Sequence, residues 1–438
     1  VNSVAIDTVW VVVAGCLVLL MQAGFACLEM GLSRMKHSGA VAAKILVNFA
    51  LALVVFWAVG YAIAFGDGNG VFGSTAWFIE IGNAGGVGSL SYSGIDEATK
   101  FFFQSMFAAV ALAIVWGTML DRARFVTYLP FAVLFVGIIY PLVAHWVWGG
   151  GWLYENGFQD FAGSGVVHVT GAFAGLAGAI VVGARIGKYR DGKPQPIPGH
   201  SMPLAILGVL LLWVGWMGFN AGSFLGAEGK PIGQVVVVTC LAGAFGVLAA
   251  VVMARVMLGS FDIGMMGNGA IAGLGAIAGP CAFVEPWAGA IIGLVAGAVM
   301  VPMVLFIDRR GIDDPIGVFA GHGMGGIVGV LAAGIFTTSE AASRLGGRPG
   351  LVYGGGFSQL GWQFVGLVAI AGFAFVTAWL AFSLIKVTVG LRASEADEMA
   401  GLDISEHGMF GYPERFIEVV GAEPEEPISS VGAPITSH

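Results

Sequence analysis

The chain has 438 residues, 57% of them hydrophobic and 11% charged, with 71 glycines and a formal net charge of -8. Its mean hydropathy is +0.88; such a chain has too few polar side chains to clothe a soluble surface, which leaves an all-α polytopic membrane protein. The negative charge is local: ten of the 27 acidic residues lie between Glu395 and Glu426, so this stretch is expected to be a soluble tail.

Apolar runs long enough to cross a hydrocarbon layer of about 30 Å, roughly 20 residues each, fall near 5–33, 40–65, 97–119, 125–148, 163–185, 202–222, 232–258, 264–280, 284–307, 316–337 and 357–388. That makes eleven spans, of which the eighth is short and rich in glycine. No basic-then-apolar leader stands ahead of the first, so no signal peptide is expected in this sequence. The abundant glycines predict close helix packing, because lipid supplies no hydrophobic drive for helices to associate. Cys16, Cys27, Cys240 and Cys281 lie apart in apolar surroundings, without metal-ligand spacing, and are expected to be packing residues.

Loop charge predicts the orientation. One set of loops carries Arg34, Lys36, Arg122, Arg124, Arg185, Lys188, Arg190, Lys193, Arg255, Arg309 and Arg310, whereas the other carries only Lys100, Lys230, Arg344 and Arg348. Positive loops stay inside. The N-terminus is therefore expected outside, the C-terminal tail in the cytoplasm, and the 66–96 segment, free of Lys and Arg, in an external loop. The domains implied are a membrane domain over 1–390 and a tail over 391–438. Within the first, two halves cover about 5–185 and 202–337, followed by a last helix at 357–388.

An internal repeat relates the halves. "DFAGSGVVHVTGAFAG" (160–175) and "DPIGVFAGHGMGGIVG" (314–329) share the pattern D-x7-H-x2-G-x3-G in the fifth and tenth spans. Five spans apart means opposite directions. Each histidine, His168 or His322, sits eight residues inward of its acid, about 12 Å along a helix. Entering from opposite faces, the two can meet near the midplane, as in an inverted repeat whose site lies at the repeat interface. One histidine at membrane depth can be packed and hydrogen-bonded; two at repeat-related positions mark a pathway. Adjacent imidazoles resist joint protonation, so the pair can pass a small hydrogen-bonding solute or share a proton. No further His, Cys or carboxylate completes a coordination sphere there, and no metal, cofactor or enzymatic activity is expected. Asp160 and Asp314 are expected to cap their helices, acting as structural acids.

Most aromatics near span ends are interface residues. Trp148, followed by three glycines in "HWVWGGG", could offer an indole face to a cation, with Ser223 as a hydrogen-bond acceptor beside it. Phe107 and Phe219, one turn deeper, could close a dry constriction, and Trp216 stands nearby in "WVGWMGFNAGS".

The stretches "QAGFACLEMGLSR", "HWVWGGGWL", "DFAGSGVVHVTGA", "GWMGFNAGS", "DDPIGVFAGHG" and "GLDISEHG" occur in order between about residues 5 and 412. In this the sequence resembles the ammonium transporter family (Amt/Mep/Rh), in its bacterial and plant Amt branch. The resemblance implies a homotrimer with one pore in each subunit of eleven helices in inverted halves. It implies that Trp148, Ser223 and Phe107 recruit ammonium and that Phe107 and Phe219 form a gate. His168 and His322 then line the pore with Trp216 beside them, and Asp160 is the acid beneath the recruitment site. It implies multi-pass residence in the cytoplasmic membrane and a PII-type regulatory protein as a cytoplasmic partner. Three departures stand out: Gly325 where many members have cysteine, Gly317 where enteric-type members have an acid, and "AGPC" at 278–281. The reading that competes with transport is an Amt-like membrane sensor with little or no conduction. The stretch after residue 412 is too short for an attached kinase or cyclase, and 413–438 is expected to be disordered.

Overall fold

A computed structural model describes residues 3–79 and 87–413. The expected disorder of 413–438 therefore falls almost wholly outside the described residues, as does part of the 66–96 loop. Among the described residues eleven apolar helices run back and forth in chain order: α1 (Ser3–Leu32), α2 (Met35–Phe65), α3 (Glu97–Gly117), α4 (Phe125–Glu155), α5 (Ser164–Val182), α6 (Met202–Gly222), α7 (Ile232–Leu258), α8 (Ile263–Ala278), α9 (Pro286–Arg309), α10 (Phe319–Phe336) and α11 (Ser358–Thr388). Ten are long enough to cross a membrane by length and composition, and α8, the expected short span, has 16 residues. The chain is a multi-pass all-α membrane protein.

The N-terminal ends of α1, α3, α5, α7, α9 and α11 share one face of the bundle with the N-terminus. The opposite face carries most of the arginines and is called the basic face below. Exposed apolar side chains on α7 (Leu248, Val252, Val256) and α11 (Phe364, Val368, Leu380, Leu384) form an outer surface fit for lipid or for another protein chain. By contrast, α3 and α5 are buried on almost all sides and occupy the middle.

Glycine decides how the halves meet. The first helices of the two halves, α1 and α6, pack along their length. A Cβ placed on Gly208 would lie 2.3 Å from the Leu28 nitrogen and 2.6 Å from the Gly24 oxygen, so the backbones touch where no side chain fits. The same device joins α9 to α7, where a Cβ on Gly293 would meet the Ala242 oxygen at 2.0 Å.

The short α8 is terminated by the other half of the molecule. Its last carbonyls receive bonds from the loop ahead of α5 and from the first residue of α5: Phe161 N–H to Gly279 O at 2.8 Å, Ala162 N–H to Ala278 O at 3.0 Å, and Ser164 Oγ–H to Gly275 O at 2.7 Å. Orphan carbonyls at a buried helix end need such donors.

On the basic face two of the arginines that create the loop asymmetry, Arg34 and Arg185, are tied into ion pairs. Arg185 bonds Asp313 (Nε to Oδ2, 2.9 Å) and Asp121 (Nη1 to Oδ2, 3.3 Å), and Arg34 bonds Asp121 at 2.9 Å. Burial alone would raise the Asp313 carboxyl, but the Arg122 charge and the bonds from Arg185 outweigh it and hold it at about 2. The segment after α11 lies on this network as two short helices, Glu395–Ala400 and Leu402–His407. Glu398 is buried, accepting from Arg392 Nη2 at 2.7 Å and from the Ile186 N–H at 2.8 Å. Asp403 accepts the Gly39 and Ala40 N–H groups at 3.0 and 2.8 Å, so its carboxylate sits at the start of α2. The first part of the acidic tail is thus a docked element. The 183–201 loop turns through a two-residue hairpin pairing Tyr189 with Pro194, with Asp191 and Gly192 at positive φ.

Candidate functional site

Both histidines sit on π-helical turns. Ser164–Val169 carries His168 and leads into the α-helical part of α5, while Phe319–Gly323 carries His322 at the start of α10. A π turn widens the helix by one residue and aims a side chain off the regular surface. Ahead of each turn stands the repeated acid, followed three residues on by a glycine at positive φ, Gly163 (φ 113) and Gly317 (φ 72).

The acids cap. Asp160, buried, accepts the Gly163 N–H through Oδ1 at 2.9 Å and the Gly165 and Val166 N–H groups through Oδ2 at 2.8 Å each. Asp314 accepts the Phe319 N–H through Oδ2 at 2.8 Å, while its Oδ1 has no partner among the described residues. These carboxylates satisfy helix donors that would otherwise be orphaned in a dry interior.

Entering from opposite faces, His168 and His322 meet in the interior. Their Nδ1 atoms lie 3.2 Å apart and the rings stack 5.2 Å between centroids at 18°. One Nδ1 must donate and the other accept, so one ring keeps a bare Nε2 and the other an Nε2–H. The pair therefore presents one acceptor and one donor while sharing a single proton between its inner nitrogens. The His168 Nε2 has no partner among the described residues, nor has the indole N–H of Trp216, which lies 5.6 Å from His168 and 6.4 Å from His322 between centroids.

Aromatic rings continue the line toward the face of the N-terminus. Phe219 lies 5.7 Å from His168 and stacks on Phe107 at 4.1 Å and 26°; both phenylalanines are buried. Phe107 meets Trp148 edge-on at 6.0 Å, and Trp148, half-buried, donates its indole N–H to the Asp160 carbonyl at 2.7 Å. That bond fixes the indole plane. Half-buried Ser223 donates its hydroxyl to the Phe219 carbonyl at 2.8 Å, which leaves the lone pairs of Oγ free to accept. These contacts join Trp148, Ser223, Phe107, Phe219, Trp216, His168, His322 and Asp160, and Asp314 stands ahead of the His322 turn.

Two of the three sequence departures have local reasons. A Cβ on Gly325 would meet the Ala272 oxygen at 2.7 Å, and Gly317 combines a left-handed φ with a Cβ position 2.8 Å from Asn268 Nδ2. Neither site takes a larger residue without movement. Sequence reasoning passed over the basic-face side of the histidine pair, where Phe25 lies 6.1 Å from His322 and Glu29 pairs with Lys44 (Nζ to Oε2, 2.6 Å). The signal was present as two opposite charges in adjacent apolar spans, a costly arrangement unless they pair.

Fold and site together define a multi-pass all-α membrane protein with aromatic and imidazole side chains clustered in its interior. The model of the Ammonium Transporter Family matches residues 9–412, and the chain belongs to that family, a family of transporters rather than enzymes whose substrate is ammonium. The ammonium transporter Amt2 of Archaeoglobus fulgidus is 39% identical over 424 residues, spanning 93% of this chain and 88% of its own. Ammonium transporter Amt1 of Haloferax mediterranei is 37% identical over 440 residues, spanning 93% of this chain and 80% of its own. Among solved structures, one described as Sensor Amt Protein superposes with a TM-score of 0.85 at 34% identity, covering 92% of this chain and 98% of that one. Mep2 of Saccharomyces cerevisiae gives 0.81 at 30% identity, covering 90% and 88%.

Proposed function

We propose that this protein moves ammonium across the cytoplasmic membrane by recruiting the cation at its outer face, where it gives up a proton to water, and passing ammonia through the interior. The observation that carries this reading is the unbroken run from Trp148 and Ser223 through Phe107 and Phe219 to His168 and His322. An indole face and a hydroxyl acceptor suit a small cation that donates hydrogen bonds. Below them the stacked phenylalanines offer no ligand to an ion. Potassium has no proton to leave behind, and stripping such an ion of water costs several kcal/mol. Ammonium can shed its charge and continue as a neutral molecule, for which the neutral histidine pair and Trp216 are suitable partners. A proton moving separately through the shared histidine nitrogens would make transport electrogenic.

In this reading the N-terminus is external, residues 1–390 are the membrane domain and 391–438 a cytoplasmic tail. The subunit assembles as a homotrimer in lipid, and a PII-type protein acts at the basic face; the exposed apolar faces of α7 and α11 are compatible with the first. The test is ammonium flux and current measured on the same proteoliposomes. Flux above protein-free vesicles supports the proposal, and its absence overturns it.

A second reading, an ammonium sensor with little conduction, is favoured by the superposition on the structure described as Sensor Amt Protein. Saturable ammonium binding without flux or steady current would support it.

A further inference from the structure

On the basic-face side of the histidine pair lies a cavity of about 10 Å³, lined by Phe25, Glu29, Asn268, Ile271 and His322 among others. That is the room one water-sized molecule requires. Most of its wall is hydrocarbon, and three polar groups interrupt it. Glu29, 1% exposed, gives Oε2 to Lys44, and its Oε1 has no partner among the described residues. Asn268 spends its Nδ2 on the Ile316 carbonyl at 2.9 Å, leaving Oδ1 as an acceptor. His322 has its Nδ1 engaged with His168, leaving Nε2.

A buried carboxylate oxygen without a donor is costly. The cost is offset when a hydrogen-bond donor occupies the cavity beside it. Lys44, equally buried, neutralises the carboxylate, so the site attracts N–H groups without trapping a permanent cation. The room suits a donor about the size of water, and an added methyl group would have to displace the lining side chains. We propose that Glu29 is a solute-positioning residue: its Oε1 accepts an N–H bond from one ammonia molecule held between Glu29 and His322, and the cavity disfavours larger amines. This inference rests on the transport reading above and adds a residue and a size filter to it.

Two substitutions test it in the full chain. In Glu29→Gln the Lys44 ammonium claims the amide oxygen, which turns the NH2 group toward the cavity and replaces an acceptor by a donor. Glu29→Asp keeps the charge and frees the volume of one methylene. Infrared difference spectra in lipid, ammonium chloride against potassium chloride, should show a shifted carboxylate band that Glu29→Gln abolishes. In proteoliposomes, at a temperature where melting shows both proteins folded, Glu29→Gln should carry ammonium at least fivefold more slowly than the unaltered protein, and Glu29→Asp should raise the methylammonium-to-ammonium flux ratio severalfold. An infrared band indifferent to ammonium, or unaltered flux and amine preference in both variants, overturns the inference. Absence of flux in the unaltered protein would instead remove the transport reading, and the infrared band would then decide the Glu29 site by itself.

Discussion

Asp160→Asn separates a structural acid from a carrier. In the unaltered protein Asp160 takes three N–H groups, one on Oδ1 and two on Oδ2. Asparagine has one oxygen, which best serves Gly165 and Val166, so its NH2 group must face the Gly163 N–H, donor against donor. One buried bond to a charged acceptor is lost, worth about 1.5–3 kcal/mol, at the residue whose positive φ opens the π turn of His168. A cost of about 2–3 kcal/mol corresponds to a roughly 30-fold to 150-fold change in the folded-to-unfolded ratio. The assay is unfolding of the purified protein by SDS in mixed micelles, with ammonium uptake measured on material that stays folded. The account predicts a clear loss of stability and a lower maximal flux, with the ammonium concentration for half-maximal uptake little changed. Unchanged stability with a large rise in that concentration would refute the cap and make Asp160 a direct ligand of the cation.

Asp313→Asn should cost about 2–3 kcal/mol at neutral pH, from a carboxyl held at about 2 against an ordinary 3.8 at about 1.4 kcal/mol per pH unit. A depressed carboxyl stabilises above its unfolded value and loses that contribution as pH falls. The stability gap between variant and unaltered protein should therefore close between about pH 4 and pH 2, measured by denaturant titration at each pH, and a gap independent of pH would contradict the pairing. Gly208→Ala should prevent folded protein from accumulating, because its Cβ meets backbone atoms of α1, while Gly233→Ala, with nothing within 4 Å, should behave as the unaltered protein in size-exclusion chromatography. Glu398→Ala leaves Arg34 and Arg392 without their shared carboxylate. Protease cleavage within 391–413 should then accelerate tenfold or more, and unchanged protection would show that the segment is held by other contacts.

The span count, the repeat and the pairing of His168 with His322 were legible because membrane crossing imposes a length and because a polar residue at that depth stands out. The aromatic set was legible only in part: Phe107 and Phe219 differ in composition from no other span phenylalanine, and their stacking depends on how α3 meets α6. Glu29 and Lys44 were missed although each is a charge in an apolar run, since nothing local in sequence says that they face one another or line a cavity. The arginines of the basic loops were recognised as a charge bias, yet the network with Asp121, Asp313 and Glu398 joins residues from 64 to 364 positions apart. The π turns that carry the histidines have no sequence signal beyond the glycines that precede them.

The most direct test of the central claim is uptake of labelled ammonium by proteoliposomes holding the unaltered protein or the His168→Ala/His322→Ala variant, with folding of both checked by melting. The account predicts uptake well above protein-free vesicles for the first and near that background for the second. Equal uptake by the two would contradict a pathway through the histidine pair.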